Sequence, residues 1–295
     1  MKSLLAVRLG GLGDLLAVLP ALNLLRRRLA GWRIVLLARP SAAALLLARG
    51  VADEVRSAEA AVRTTAGFEL TIGWYQAESS VPKAPGRYFV FEPVDDQTVS
   101  RYFFERTAEV LREFGTGKLP PFEECWRLPG KRPGPRIGPA VIHPGSGSPR
   151  KNWPLERFQA LEAELARRGL SGRIVTGEAE EDAGARLSET VPPPGWNFIA
   201  SPSLTDLAAL LEGAPLYVGN DSGVTHLAAA CGAPVVAFFR SEFVAAWRPF
   251  GHASVLSADD VETIGLEAAA KAAGRALVSG EANSCAIIGR GEKDR

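Results

Sequence analysis

The sequence predicts an α/β protein made of two doubly wound domains in succession. Three observations carry that expectation. Short, almost wholly apolar runs recur along the 295 residues, helical patterns alternate with them, and a proline-rich stretch interrupts the alternation near the middle. Strands buried on both faces read as continuous apolar runs, and regular strand–helix alternation places them in parallel sheets covered by helices. At roughly 100 to 200 residues per domain, a chain of this length holds about two.

The first run, SLLAVRL at 3–9, ends in Gly10, Gly11 and Gly13. Leucines then recur at helical spacing through Leu29, with Arg26, Arg27 and Arg28 at the end where a helix dipole favours cations. IVLLA at 34–38 reads as a strand, 41–49 as a helix closed by Gly50, FELTIGWY at 68–75 and RYFVF at 87–91 as strands, and 99–114 as a helix. Pro120, Pro121, Pro129, Pro133, Pro135 and Pro139 then mark a linker over about 115–138. Alternation resumes with strands at 139–143, 173–177, 197–200, 215–220 and 234–239. Helices fall at 154–168, 180–190, 203–212, 223–230 and 261–278, the first opening on Pro154, where proline is tolerated. The expected division is a domain over 1–136, a second over 137–280, and a flexible tail over 281–295.

Composition narrows the function. With 46% hydrophobic and 23% charged residues, the chain is globular rather than disordered or fibrous. A net charge of +1 gives no whole-protein attraction to nucleic acid. The charge is uneven, with 20 Lys/Arg against 14 Asp/Glu in residues 1–136, so the first domain favours an anionic partner. Cys125, Cys231 and Cys285 lie far apart without CxxC spacing, which points to neither zinc nor a disulfide framework and suits a reducing cytoplasm. Arg8 and Asp14 interrupt the N-terminal apolar run, so it reads as strand and helix rather than a signal peptide. No window has the roughly 20 apolar residues of a membrane span, and any membrane contact is expected to be peripheral.

Three segments carry chemistry. In GGLGD at 10–14, a strand runs through glycines into a helix N-terminus, where unpaired N–H groups favour anions. The third glycine of GxGxxG is absent, and the second strand ends in Ala38, Arg39 and Pro40 without the acidic residue that holds a ribose, so dinucleotide binding is disfavoured. Asp14 lies outside the carboxyl end of the first strand, and two readings stand: an N-cap carboxylate serving the helix, or a general base. HPGSGSPRKNWP at 143–154 places Ser146 and Gly147 in a flexible hydroxyl-bearing loop with Lys151 just before a helix. It lacks GxxxxGK[ST] spacing and does not imply ATP hydrolysis; it is a phosphate loop or an ordinary turn. GNDSGVTHLAAACGAP at 219–234 sets Asp221, Ser222 and Gly223 between a strand and a helix, with amides of 222–225 turned toward an anion. Without a GxSxG elbow, Ser222, Asp221 and His226 do not form a hydrolase triad. His226 reads as a hydrogen-bond partner, and His143 and His252 as structural.

Taken together and in order, RLGGLGDLLAVLPAL at 8–22, HPGSGSPRKNWPLERF at 143–158 and GNDSGVTHLAAACGAPVVAFF at 219–239 resemble the motifs of the heptosyltransferase-like glycosyltransferases, family 9. The resemblance implies a GT-B fold, two Rossmann-like domains facing a central cleft, the first binding acceptor and the second a nucleotide sugar. It implies inverting transfer of heptose from ADP-heptose to an anionic, lipid-linked saccharide of the lipopolysaccharide inner core. Neither a cofactor nor a metal is required, and the work is done at the cytoplasmic face of the inner membrane. By position, Asp14 matches the family's base and Lys151 the lysine on the donor phosphates, with Ser146 and Gly147 in the same loop. Asp221, Ser222, Gly223 and His226 match the motif that holds the diphosphate, and Glu181 an acidic residue for the ribose. Arg8, Arg39, Arg63, Arg87 and Arg101 are the cations available to an anionic acceptor. After Phe239 the family continues with Gly-x-Thr-x-Pro, whereas this chain has Arg240-Ser241-Glu242-Phe243 and lacks the usual cysteine-containing stretch. Three alternatives stay open: another nucleotide-sugar donor, a non-catalytic nucleotide- or sugar-binding protein, and a Rossmann oxidoreductase.

Overall fold

The computed structural model describes residues 1–57, 67–76, 86–93, 97–115, 117–130, 136–177 and 191–288, the last ten of these as helical backbone. The helix expected over 180–190 lies outside the described residues. The chain divides into two compact units, Met1–Gly130 with Ala245–Trp247, and Lys131–Val244 with Arg248–Arg295.

In the first unit, β1 (Ser3–Val7), β2 (Arg33–Leu37), β3 (Glu54–Arg56), β4 (Leu70–Gln76) and β5 (Arg87–Phe91) form a parallel sheet in the order β3-β2-β1-β4-β5. Val7 pairs with Leu37 on one side and Gly73 on the other, so β1 is central and its apolar residues are buried on both faces. The helices are α1 (Leu12–Ala17), α2 (Leu19–Arg28), α3 (Pro40–Ala48) and α4 (Val99–Leu111). The single helix expected from Leu15 to Leu29 is broken at Val18. Pro20 supplies no N–H for the ladder and its ring crowds the preceding turn, so the chain restarts with proline in the first turn of α2.

The stretch 115–130, expected as linker, belongs to the first unit. Phe122, Cys125 and Leu128 are buried there. Asn23 of α2 donates to the carbonyls of Cys125 (2.7 Å) and Arg127 (2.8 Å), and Arg27 to that of Glu124 (2.8 Å). Prolines removed backbone donors from this stretch, and side chains of α2 satisfy its carbonyls instead.

The second unit holds β6 (Ala140–His143), β7 (Gly172–Thr176), β8 (Trp196–Ala200), β9 (Tyr217–Asn220), β10 (Val235–Arg240) and β11 (Ala253–Ala258) in the parallel order β11-β10-β9-β6-β7-β8. Counted from β6, this is the 3-2-1-4-5-6 order of a doubly wound nucleotide-binding sheet. Its helices are α5 (Leu155–Arg167), α6 (Leu204–Gly213), α7 (Gly223–Ala230), the first four residues of α8 (Ser241–Trp247), whose last three count with the first unit, and α9 (Leu266–Ile288). Trp153 stacks on Phe238 of β10 at 4.2 Å and meets Phe158 of α5 edge-on at 5.1 Å, which closes the core beneath the 144–152 loop.

Two expectations are corrected at the C-terminus. The last helix begins at Leu266, after a short 3-10 turn over Val261–Thr263, and it continues through Gly280 to Ile288, so the expected flexible tail is helical over 281–288. One glycine inside a helix costs about 1 kcal/mol relative to alanine, too little to stop a run of good helix formers. No helix among the described residues is long and apolar enough to cross a membrane.

Phe158, Leu161, Glu162 and Leu165 are the buried residues of α5, at the i, i+3, i+4, i+7 spacing of a core-facing stripe. Glu162 therefore sits at an apolar position, 5% exposed, with Oε1 lacking a partner among the described residues, and burial pushes its carboxyl up to about 7. The proton is held more tightly in the folded chain than in the unfolded one. Stability should thus fall as pH rises from about 4.5 to about 7, by on the order of 3 kcal/mol, and level off above. Glu162→Gln should remove that slope and stabilise the protein at pH 8 but not at pH 4, measured by urea unfolding. An equal effect at both pH values would contradict this assignment.

Candidate functional site

Each sheet reverses its strand order once, between β1 and β4 in the first unit and between β6 and β9 in the second. Adjacent connections leave on opposite faces there, opening a crevice beyond the carboxyl ends of the strands. Asp14 stands at the first of these reversals, and Ser146, Gly147, Lys151, Asp221, Ser222, Gly223 and His226 at the second.

At the first, Asp14 is the third residue of α1, whose N-cap is Gly11. Its Oδ2 accepts the Gly11 N–H at 2.9 Å, half of a capping box, and its Oδ1 accepts from Arg8 Nη2 at 2.5 Å. Asp14 therefore serves the helix start from its third position and not as the N-cap that the sequence suggested, and 31% of the side chain still faces solvent. A carboxylate has about four lone-pair sites, so capacity remains for a substrate hydroxyl. Gly10 has φ +155°, and a Cβ there would lie 2.7 Å from the Asp14 carboxyl carbon, so only glycine permits this approach.

Arg8, expected among the cations available to an acceptor, is 3% exposed and fully committed inside its unit. Burial lowers its pKa, and the Asp14 charge and hydrogen bond oppose that shift. Arg87 is paired with Glu113 and Arg101 with Glu123, Arg39 is exposed, and Arg63 lies outside the described residues.

At the second reversal, Lys151 closes a 3-10 turn (Pro149–Lys151), and its Nζ lies 2.6 Å from Asp221 Oδ2. Asp221 is 7% exposed and Lys151 30%, so the cation, not the carboxylate, is the member open to solvent. The Asp221 N–H donates to the carbonyl of Phe238 at 2.9 Å, which fixes the residue against β10. Ser222 is the N-cap of α7 and accepts the Thr225 N–H at 3.4 Å. The N–H groups of Gly223 and Val224 in the first turn have no partner among the described residues, as helix geometry leaves them. Positive amides and the Lys151 ammonium together make an anion-binding corner. His226 is half-buried on α7, its N–H donating to the Ser222 carbonyl at 3.3 Å.

Ser146 and Gly147 part ways. The buried Ser146 hydroxyl donates to Asn152 Oδ1 at 2.6 Å and accepts the Ser148 N–H at 3.2 Å, so it shapes the loop. Gly147 is exposed with open space where a Cβ would stand. Glu181 lies outside the described residues.

Two contributors escaped the sequence reading. Asn220, fully buried, accepts the Trp153 N–H at 2.9 Å and donates to the Pro144 carbonyl at 2.7 Å, tying the loop after β6 to the end of β9. Its signal was a polar residue ending an apolar strand. Phe243 of α8 sets its ring 4.6 Å from Lys151 Nζ, a cation–π contact. It stands in the Arg240-Ser241-Glu242-Phe243 segment, where the sequence departs from the family pattern.

Solved structures share this architecture. ADP-heptose LPS heptosyltransferase II of E. coli superposes with a TM-score of 0.73 at 16% identity, covering 95% of this chain and 100% of that one. A family 9 glycosyltransferase from Veillonella parvula DSM 2008 gives 0.74 at 16% identity, covering 94% and 98%. E. coli heptosyltransferase WaaC with ADP gives 0.70 at 18%, covering 93% and 100%. The fold is therefore that of the two-domain α/β glycosyltransferases of the GT-B class. In sequence, residues 134–264 match the model of glycosyltransferase family 9 (heptosyltransferase). Lipopolysaccharide heptosyltransferase 3 of E. coli K12 is 29% identical over 136 residues, 43% of this chain and 39% of that protein. A second E. coli protein of that name is 28% identical over 116 residues, 38% of this chain and 34% of its own. The matched stretches thus span well under half of those relatives. In sequence, the likeness to glycosyltransferase family 9 (heptosyltransferase) thus covers residues 134–264 of this chain.

Removing the cation from a buried carboxylate leaves an uncompensated charge. Lys151→Met should therefore cost about 2 kcal/mol in urea unfolding, and adding Asp221→Asn should recover part of that loss. Strictly additive losses would show that the pair is not coupled.

Proposed function

We propose that the chain is an inverting glycosyltransferase that moves a heptose from ADP-heptose to a lipopolysaccharide inner-core saccharide. The observation that carries this reading is the Lys151 ammonium beside Asp221 with the open first-turn amides of α7, at the reversal of the second sheet. A departing nucleoside diphosphate gains negative charge as the sugar–phosphate bond breaks. Fixed donors of this kind stabilise that charge without reorganising, and the same neutralisation is what a metal would otherwise supply. The match of residues 134–264 to the family 9 model supports sugar transfer, and E. coli WaaC, of like fold, has been solved with ADP and with ADP-2-deoxy-2-fluoro heptose.

In this reading an acceptor oxygen attacks the anomeric carbon, its O–H proton passes to the Asp14 carboxylate, and the C–O bond to phosphate breaks with its electron pair leaving on the diphosphate. The configuration inverts because attack and departure are on opposite faces. Lys151, Gly223 and the amide of Val224 hold the diphosphate, while Asp221 and Phe243 hold Lys151. Ser146 and Ser222 support the two loops, Gly147 admits the donor, and His226 and Glu181 are assigned to the donor by their place in the motifs. The excess of 20 Lys/Arg over 14 Asp/Glu in residues 1–136 suits an anionic, lipid-linked acceptor met at the inner face of the inner membrane. Attachment there would be peripheral.

Isothermal titration with ADP, UDP, GDP and NAD tests the donor assignment. ADP should bind selectively and at least tenfold more weakly to Lys151→Ala. Selective UDP or GDP binding would move the donor to another sugar nucleotide, NAD binding would favour an oxidoreductase, and binding of none would favour a non-catalytic protein. Asp14→Asn should keep ADP affinity while transfer falls by two orders of magnitude or more.

A further inference from the structure

We infer that Arg8 is a positioning residue for Asp14, holding both its main chain and its carboxylate in place, an inference that rests on Asp14 being the base. Arg8 follows the last residue of β1 at the reversal of the first sheet, and its guanidinium is spent in three directions. Nη2 donates to Asp14 Oδ1 at 2.5 Å, Nε to the Asp14 carbonyl at 3.1 Å, and Nη1 to the Trp74 carbonyl of β4 at 3.0 Å. One rigid, planar fork therefore grips two atoms of the same residue and anchors them to the neighbouring strand.

The anchor is itself fixed. Trp74 is fully buried and its indole N–H donates to Thr107 Oγ1 of α4 at 3.0 Å, while Thr107 donates to the Phe103 carbonyl at 2.7 Å. The Phe103 ring lies 5.8 Å from the Arg8 guanidinium carbon. From the other side, the Gly11 N–H holds Asp14 Oδ2, and Gly10 leaves the carboxylate room. The Asp14 rotamer is thus set by two donors on two oxygens.

Burying a guanidinium costs several kcal/mol unless it is paired. Arg8 is 3% exposed, and its ion-pair partner among the described residues is Asp14, the member of the pair that is 31% exposed. An apolar residue would fill the end of β1 without that penalty. What the arginine adds is an outward-facing carboxylate whose position does not depend on solvent. Misplacing a reacting group by about 1 Å costs on the order of 100-fold in rate.

The test compares Arg8→Met, Asp14→Asn and the double variant in the full chain, by ADP release from ADP-heptose with an inner-core saccharide acceptor. Thermal unfolding and circular dichroism of each variant are recorded alongside. Arg8→Met should lower kcat by on the order of 100-fold with donor KM within twofold, and should not slow Asp14→Asn any further. Arg8→Lys, which keeps the charge but not the fork, should recover part of the rate, and it carries the test where Arg8→Met does not fold. A folded Arg8 variant with kcat within threefold of wild type overturns the positioning role, as does an equal loss in the presence and absence of Asp14. Full turnover by Asp14→Asn, or no transfer by the wild type, overturns instead the reading of Asp14 as base, and this inference falls with it.

Discussion

A parallel sheet whose strand order reverses must send its two central connections to opposite faces, and the loops that leave the strand ends there cannot pack against each other through a helix. In the second unit the buried side-chain amide of Asn220 supplies what the topology withholds. It bonds the Trp153 N–H and the Pro144 carbonyl, one on each side of the 144–152 loop. Fully desolvated, an amide so engaged is costly to leave unpaired, which makes the loop's position a condition of the fold rather than a preference. Lys151 reaches Asp221 because that loop cannot move away.

The two reversals use the same kind of pair with opposite exposure. In the first unit the cation is buried and the carboxylate faces out; in the second the carboxylate is buried and the cation faces out. Burial of one member fixes the other, and the exposed member decides what the site offers to a ligand. The first offers an anion able to accept a proton, the second a cation able to accept a phosphate. Each unit's fold supplies a strand end and a helix start for the purpose, and the sign of the site depends on which partner the sheet covers.

Much of this could be read from the sequence, because parallel strands buried on both faces announce themselves as apolar runs. Asp14, Lys151 and Asp221 were legible through their place at strand ends. Other elements were not. β3 is three residues long, too short to show a period, and β11, ASVLSA, is half-buried at the sheet edge and carries small polar residues. α8 begins directly at the end of β10, Arg240 serving as last strand residue and N-cap, with no glycine or proline between to mark a boundary. Phe243 was hidden with it. Arg8 was read as a cation available to an anionic acceptor because sequence shows a charge without showing what buries it; only the reach of its three nitrogen donors to Trp74 and Asp14 reveals its place.

The claim that most of the account depends on is that the corner formed by Lys151, Asp221 and the start of α7 binds the diphosphate of a nucleotide. Amide chemical-shift mapping of the ¹⁵N-labelled protein during titration with ADP addresses it directly. Saturable shifts should concentrate at Gly147, Lys151 and residues 221–225, with the Gly223 and Val224 amides moving downfield as they gain an acceptor. Shifts confined to the Gly10–Asp14 turn, or spread without focus over the surface, would contradict it.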